Sequence, residues 1–184
     1  MRFISEQTIR ATKEKFDALP FEEFVVLQQE LLARQGALAG FASVVGKREL
    51  SGDGWKVAVL LALYLWQIFE QEASEPLVKI TVEEILSAYD KREEWFDSFA
   101  GMSEQEFDRW MGLSLEIPQE RVAAHAAQVL VDNSLAYQDQ LKLSNEDIGQ
   151  LMGMALAMID VLDAKLQETV GNEAKNAGQA NVVA

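Results

Sequence analysis

The sequence predicts an all-α protein, an irregular multi-helix bundle of about seven helices with a long C-terminal antiparallel helical hairpin. Three observations carry that expectation. Apolar side chains recur at three- and four-residue spacing along most of the 184 residues. The prolines, at 20, 76 and 118, all fall between such stretches, as proline's clash with a helix interior demands. Capping patterns stand directly ahead of several helices, at Thr81–Glu84, Ser103–Glu106 and Ser144–Asp147. Leu77–Val82 and Leu113–Ile117 could be read as strands, but each is too short to found a sheet.

The first helix is expected over Glu6–Asp17, behind Ser5 as N-cap. Pro20 opens the second, where Phe21, Phe24, Val25, Leu27, Leu31 and Leu32 form a broad apolar face and Gly36 closes it. Ala37–Val45 has helical spacing with many small residues, and Lys47–Gly54 reads as a charged loop. From Trp55 to about Glu72 runs the most hydrophobic stretch, a helix buried on most sides. The Thr81 box opens a helix with Val82, Ile85, Leu86, Tyr89, Phe96 and Phe99 in register, ended by Gly101. The Ser103 box opens a short helix through Met111. Pro118 marks a start that carries on to Gln140, and the Ser144 box opens a last long helix to about Thr169, stopped by Gly171. Residues 1–171 thus read as one helical domain, and 172–184, small and polar without apolar period, as a disordered tail.

Composition excludes several functions. There is no cysteine and a single histidine, His125. That rules out disulfides, thiolate catalysis, Cys-ligated metals and multi-His metal centres. Sixteen Lys+Arg face thirty Asp+Glu, a formal charge of −14. Such a balance opposes binding to nucleic acid, which requires basic patches to displace counterions. The longest apolar run, Val57–Trp66, is too short to span a bilayer. With no secretory leader evident, the expected location is cytoplasmic, away from membranes. GxGxxG, P-loop, GxSxG and HExxH patterns are all missing.

The charge is concentrated. Between Glu70 and Asp108 stand twelve acidic and three basic residues, a local balance of −9. Glu83, Glu84, Asp90 and Glu93 are its expected water-facing members. An acidic face keeps a protein soluble and also steers basic partners to it. A stripe of small residues, Gly149, Gly153 and Ala157, has Met152, Met154 and Met158 beside it. Small residues four apart let helices approach closely, and methionine adapts to irregular surfaces. The stripe therefore serves packing inside the hairpin or, alternatively, a homodimer interface. Arg92 and Glu93 interrupt an apolar face, as snorkelling side chains do; the alternative is a partly buried ion pair. His125 falls on a polar stripe with Arg121, Gln128 and Asp132, as a hydrogen-bonded surface residue would.

Two resemblances follow from short segments. Gln71-Glu72-Ala-Ser-Glu75, followed after eighteen residues by Glu94-Trp-Phe-Asp97, resembles the all-helical nucleotide pyrophosphohydrolases. In that family a Glu-Glu-x-x-Glu helix faces a Glu-x-x-Asp pair, and the two hold Mg²⁺ against a triphosphate. The resemblance implies Glu72, Glu75, Glu94 and Asp97 as metal ligands, though Gln71 stands where the family has Glu and Pro76 follows at once. Leu143 to Met154 resembles the first half of a helix-turn-helix of the response-regulator and sigma-factor kind, through the Leu-Ser cap, Ile148, Gly149 and Gly153. Its second helix would present Leu156, Ala157, Asp160 and Asp163, which hold no phosphate anchor. The leading expectation is a non-enzymatic acidic interaction or adaptor protein, without cofactor, for an unidentified and basic protein partner. The alternatives are an Mg²⁺-dependent pyrophosphohydrolase and an acidic inhibitor or immunity-type protein.

Overall fold

The computed structural model describes residues 2–98, 117–132, 134–135 and 143–180, with side chains to Gly171. Among these it is all-helical, a bundle of seven helices without a strand. They are α1 (Glu6–Asp17), α2 (Phe21–Arg34), α3 (Gly36–Glu49), α4 (Gly54–Glu72), α5 (Val82–Asp97), α6 (Glu120–Val131) and α7 (Asn145–Ala180). The expected box at Ser103–Glu106, its helix to Met111, the Gly101 cap and the stretch 136–142 lie outside the described residues.

Hydrophobic burial fixes the centre. Every residue from Leu60 to Trp66 is buried, so α4 is enclosed by α1, α2, α3 and α7. Each large apolar side chain sheltered in this way contributes roughly 1.5–3 kcal/mol. α7 forms the second spine, burying Leu151, Met154, Leu156, Met158, Ile159 and Leu162. α5 packs on α7 and α3, and α6 on α7 and α1. No helix among the described residues is long and apolar enough to cross a membrane.

Local signals set most boundaries. The Ser5 hydroxyl accepts the Thr8 amide at 3.0 Å. At Thr81 both halves of the capping box form, with Glu84 N on the Thr81 hydroxyl and Thr81 N on the Glu84 carboxylate. Several boundaries differ from the expected ones. Gly36 begins α3 instead of closing α2, and the break falls at Gln35. α3 continues to Glu49, taking in residues expected to be loop, because its Gly46 lies against α4. A Cβ there would meet Trp55 Cα and Ala58 Cβ at 3.2 Å. α7 passes through Gly153 without a turn and past Gly171 to Ala180. A helical glycine costs about 1 kcal/mol relative to alanine, which neighbouring helix formers and packing can offset.

Irregular segments are held by buried amides. Gln35, 1% exposed, donates to Leu77 O and Val78 O and accepts Ile80 N, so the segment expected to be extended at 77–80 docks without a partner strand. Gln119 holds residues 2–4 in the same manner. It accepts Ile4 N at 2.8 Å and donates to Arg2 O and to Asp163. Its own φ of 52° is left-handed, a strain of order 1 kcal/mol offset by these bonds. α6 stops at Val131, where Asp132 caps it. Asp147 performs the expected cap on Ser144 and also binds Ser51 N and Oγ at 2.8 and 2.7 Å. The start of α7 is thereby tied to the α3–α4 loop.

Candidate functional site

α5 turns Ile85, Ala88, Tyr89 and Arg92 inward. Helical periodicity puts Glu83, Asp90, Glu94 and Asp97 on the opposite side, and all four are exposed. None of them is in an ion pair among the described residues. Along one edge of this ridge Val82 and Leu86 are 56% and 41% exposed. Along the other, a cleft of about 560 Å³ opens between α5 and α7, with Ala88, Val161 and Ala164 among its apolar lining. A negative ridge is therefore bordered by exposed apolar surface on both sides.

Two further acidic residues behave differently. Glu84 is exposed but committed: its carboxylate accepts Lys165 Nζ at 2.7 Å. That bond, then the Thr81 amide, holds its carboxyl below the usual range. Glu93 is exposed and lines a second cleft of about 400 Å³ with Asp97, Glu146 and Gly149.

The four carboxylates of the pyrophosphohydrolase resemblance are not brought together. Glu72 accepts Arg2 Nε and Thr8 Oγ1, both at 2.9 Å. Gln71 accepts Thr12 Oγ1. α4 ends at Glu72, ahead of Pro76, so Glu75 no longer shares a helical face with it. Glu94 and Asp97 sit on the outward ridge of α5. Among the described residues no group of three or more His, Asp or Glu is placed to hold a metal ion.

The small-residue stripe is mostly interior. Gly153, Met154, Ala157 and Met158 are buried in the chain's own core, Gly153 with Phe96 3.5 Å from where its Cβ would be. This corrects the interface expectation for those four, because α7 is enclosed by α3, α4, α5 and α6. Gly149 is exposed and Met152 half-buried. The continuous α7 also removes the turn that a helix-turn-helix needs at Gly153.

Comparison with known proteins returns no matching family model, no matching curated protein and no matching solved structure.

Arg92 does not snorkel. It is 9% exposed and grips Asp160 of α7 through Nε and Nη2, both at 2.7 Å, with its guanidinium over the Trp95 ring. The sequence signal was present on both sides: a cation on an apolar face of α5, and Asp160 between Ile159 and Val161. His125 is also drawn inward. Its Nε2 is 2.7 Å from the hydroxyl of Tyr64, a residue of the core helix. Asp147 does more than cap α7, because it also accepts from Ser51. Burial works to raise its carboxyl, but hydrogen bonds from Ser51 and Ser144 prevail and hold it at about 2.

Proposed function

We propose that this protein is a non-enzymatic interaction or adaptor module whose working surface is the outward ridge of α5. The single observation that carries the reading is the ridge itself. Glu83, Asp90, Glu94 and Asp97 are exposed on one face, with Val82 and Leu86 on one flank and an apolar-lined cleft on the other. Carboxylates speed the approach of a cationic partner, and exposed apolar surface supplies the contact that survives docking. The partner this chemistry fits carries basic side chains interleaved with apolar anchors, as a basic amphipathic helix does.

The test is capture from a lysate at about 50 and 500 mM salt, a range across which exposed charge is progressively screened. Wild type is compared with the quadruple variant Glu83→Gln/Asp90→Asn/Glu94→Gln/Asp97→Asn, which keeps shape and removes charge. The expected result is a partner retained by wild type at low salt and lost both in the variant and at high salt. Equal retention by both proteins overturns the assignment to this ridge. A captured enzyme that loses activity on binding would make the module an inhibitor. Mg²⁺-dependent turnover of nucleoside triphosphates, abolished in Glu94→Ala, would return the protein to the enzyme class.

A further inference from the structure

A different part of the molecule carries a second reading, independent of the α5 surface. Tyr64 lies on α4, is 0% exposed, and packs against Phe16 with ring centroids 5.3 Å apart. Among the described residues its hydroxyl has one partner, Nε2 of His125 on α6, at 2.7 Å. A buried hydroxyl proton requires an acceptor. With the imidazole hydrogen on Nδ1, Nε2 accepts the tyrosine proton and meets that requirement. This bond links α6 directly to the central helix.

The imidazole is within reach of solvent. A cleft of about 230 Å³ lies between α1 and α6, lined by Glu6, Arg10, Lys13, Glu14 and His125. From α1 the ring thus faces two cations and two carboxylates, with Asp17 further along and paired to Lys13. From α4 it faces Tyr64. On its own helix Arg121 stands one turn away. α7, also packed on α6, sets no charged side chain against the ring among the described residues.

We propose that His125 and Tyr64 form an acid-sensitive latch that fastens α6 to the bundle core. A proton added at Nε2 removes the lone pair that accepts the Tyr64 hydrogen, and the imidazolium then offers a donor where an acceptor is needed. The new N–H can donate to the Tyr64 oxygen, but the buried Tyr64 hydrogen is then without an acceptor, and α6 loosens. Burial, then Lys13, lowers the histidine's affinity for protons in the latched state, with Asp17 opposing them. The sign follows: the latch is whole above the ordinary histidine pKa of 6.5 and opens as pH falls below it.

The experiment is amide hydrogen exchange of the full chain between pH 7.5 and 5.0, corrected for intrinsic rates, with His125 ring shifts followed by NMR. Protection in α6 is expected to fall about threefold to tenfold relative to α4, with the midpoint of the His125 titration. His125→Gln offers Tyr64 a neutral acceptor and should abolish the pH-dependent part; Tyr64→Phe removes the donor and should reduce it, since burial and Lys13 still act on the ring. An α6 whose protection does not fall, or falls equally in His125→Gln, overturns the latch. So does a His125 ring that does not titrate across the pH range in which α6 loses protection.

Discussion

The Arg92–Asp160 pair makes the sharpest demand on the fold. It joins α5 to α7 through two parallel bonds of 2.7 Å, with side chains 11% and 24% exposed. Charged hydrogen bonds contribute about 1.5–3 kcal/mol each when sheltered. The partly wet Asp160 end favours the lower figure, so a coupling energy of about 2–3 kcal/mol is expected. Removing one partner is the more costly perturbation, because the other charge stays behind without its match. Arg92→Met alone and Asp160→Leu alone should each lower the melting temperature by roughly 5–10 °C, since 1 kcal/mol shifts a chain of this size by about 2–4 °C. The double variant, which removes both charges, should recover most of that loss. Arg92→Lys should restore little, as an ammonium cannot make the paired bonds. Urea denaturation of the four proteins of the cycle measures the coupling directly. Single losses that add within about 0.5 kcal/mol would show that the pair is mere surface decoration, and the reasoning would be wrong.

Three further outcomes follow from the same geometry. Asp147 has a carboxyl held at about 2 against 3.8 when free, so its ionised form favours the folded state by roughly 2 kcal/mol. That contribution is complete above the unfolded value and vanishes as pH falls toward 2. The stability gap between wild type and Asp147→Asn, measured in urea, should be constant above pH 5 and close between pH 4 and 2, and a pH-independent gap would refute it. Gly46→Ala and Gly149→Ala should act in opposite directions. The first drives a methyl to 3.2 Å from Trp55 Cα and should cost about 1–3 kcal/mol; the second meets nothing within 4 Å and should stabilise by up to about 1 kcal/mol. Thermal melts decide both. Tyr89→Phe should be neutral or stabilising, because the buried Tyr89 hydroxyl has no partner in good hydrogen-bond geometry among the described residues, with the Glu93 carboxylate near it; a loss above about 1 kcal/mol would show a bond to that carboxylate.

Local chemistry made much of the fold legible. The all-α class follows from periodicity. The caps at Ser5, Thr81 and Ser144 follow from a hydroxyl placed three residues ahead of its target amide. The burial of α4 follows from an apolar run with no polar side. What local reading missed is tertiary in origin. Nothing within Lys47–Glu49 announces that Gly46 allows α4 to approach and that Lys47 can lie over the Trp55 ring, 4.5 Å from its centroid. No feature of Gln35 or Gln119 alone says that its amide will hold residues 77–80 or 2–4, since the partners lie more than 40 positions away.

Charge was harder to read because a count of carboxylates does not say which ones face water. In the acidic stretch, Glu70 is occupied by Arg34, Trp66 Nε1 and Leu77 N, Glu72 by Arg2 and Thr8, and Glu84 by Lys165. Each fastens one element to another and is unavailable to a partner. The discriminating feature is periodicity. Glu83, Asp90, Glu94 and Asp97 fall opposite the buried line of Ile85, Ala88, Tyr89 and Arg92, whereas Glu70 and Glu72 close a helix that is buried nearly all round. An acidic residue at the end of such a helix has interior neighbours to satisfy, and one on the far side of an amphipathic helix does not. Applied to the sequence, that rule separates Glu70 and Glu72, which hold the bundle together, from the carboxylates on which a docking surface can be built, and it selects the ridge that the salt-dependent capture experiment interrogates.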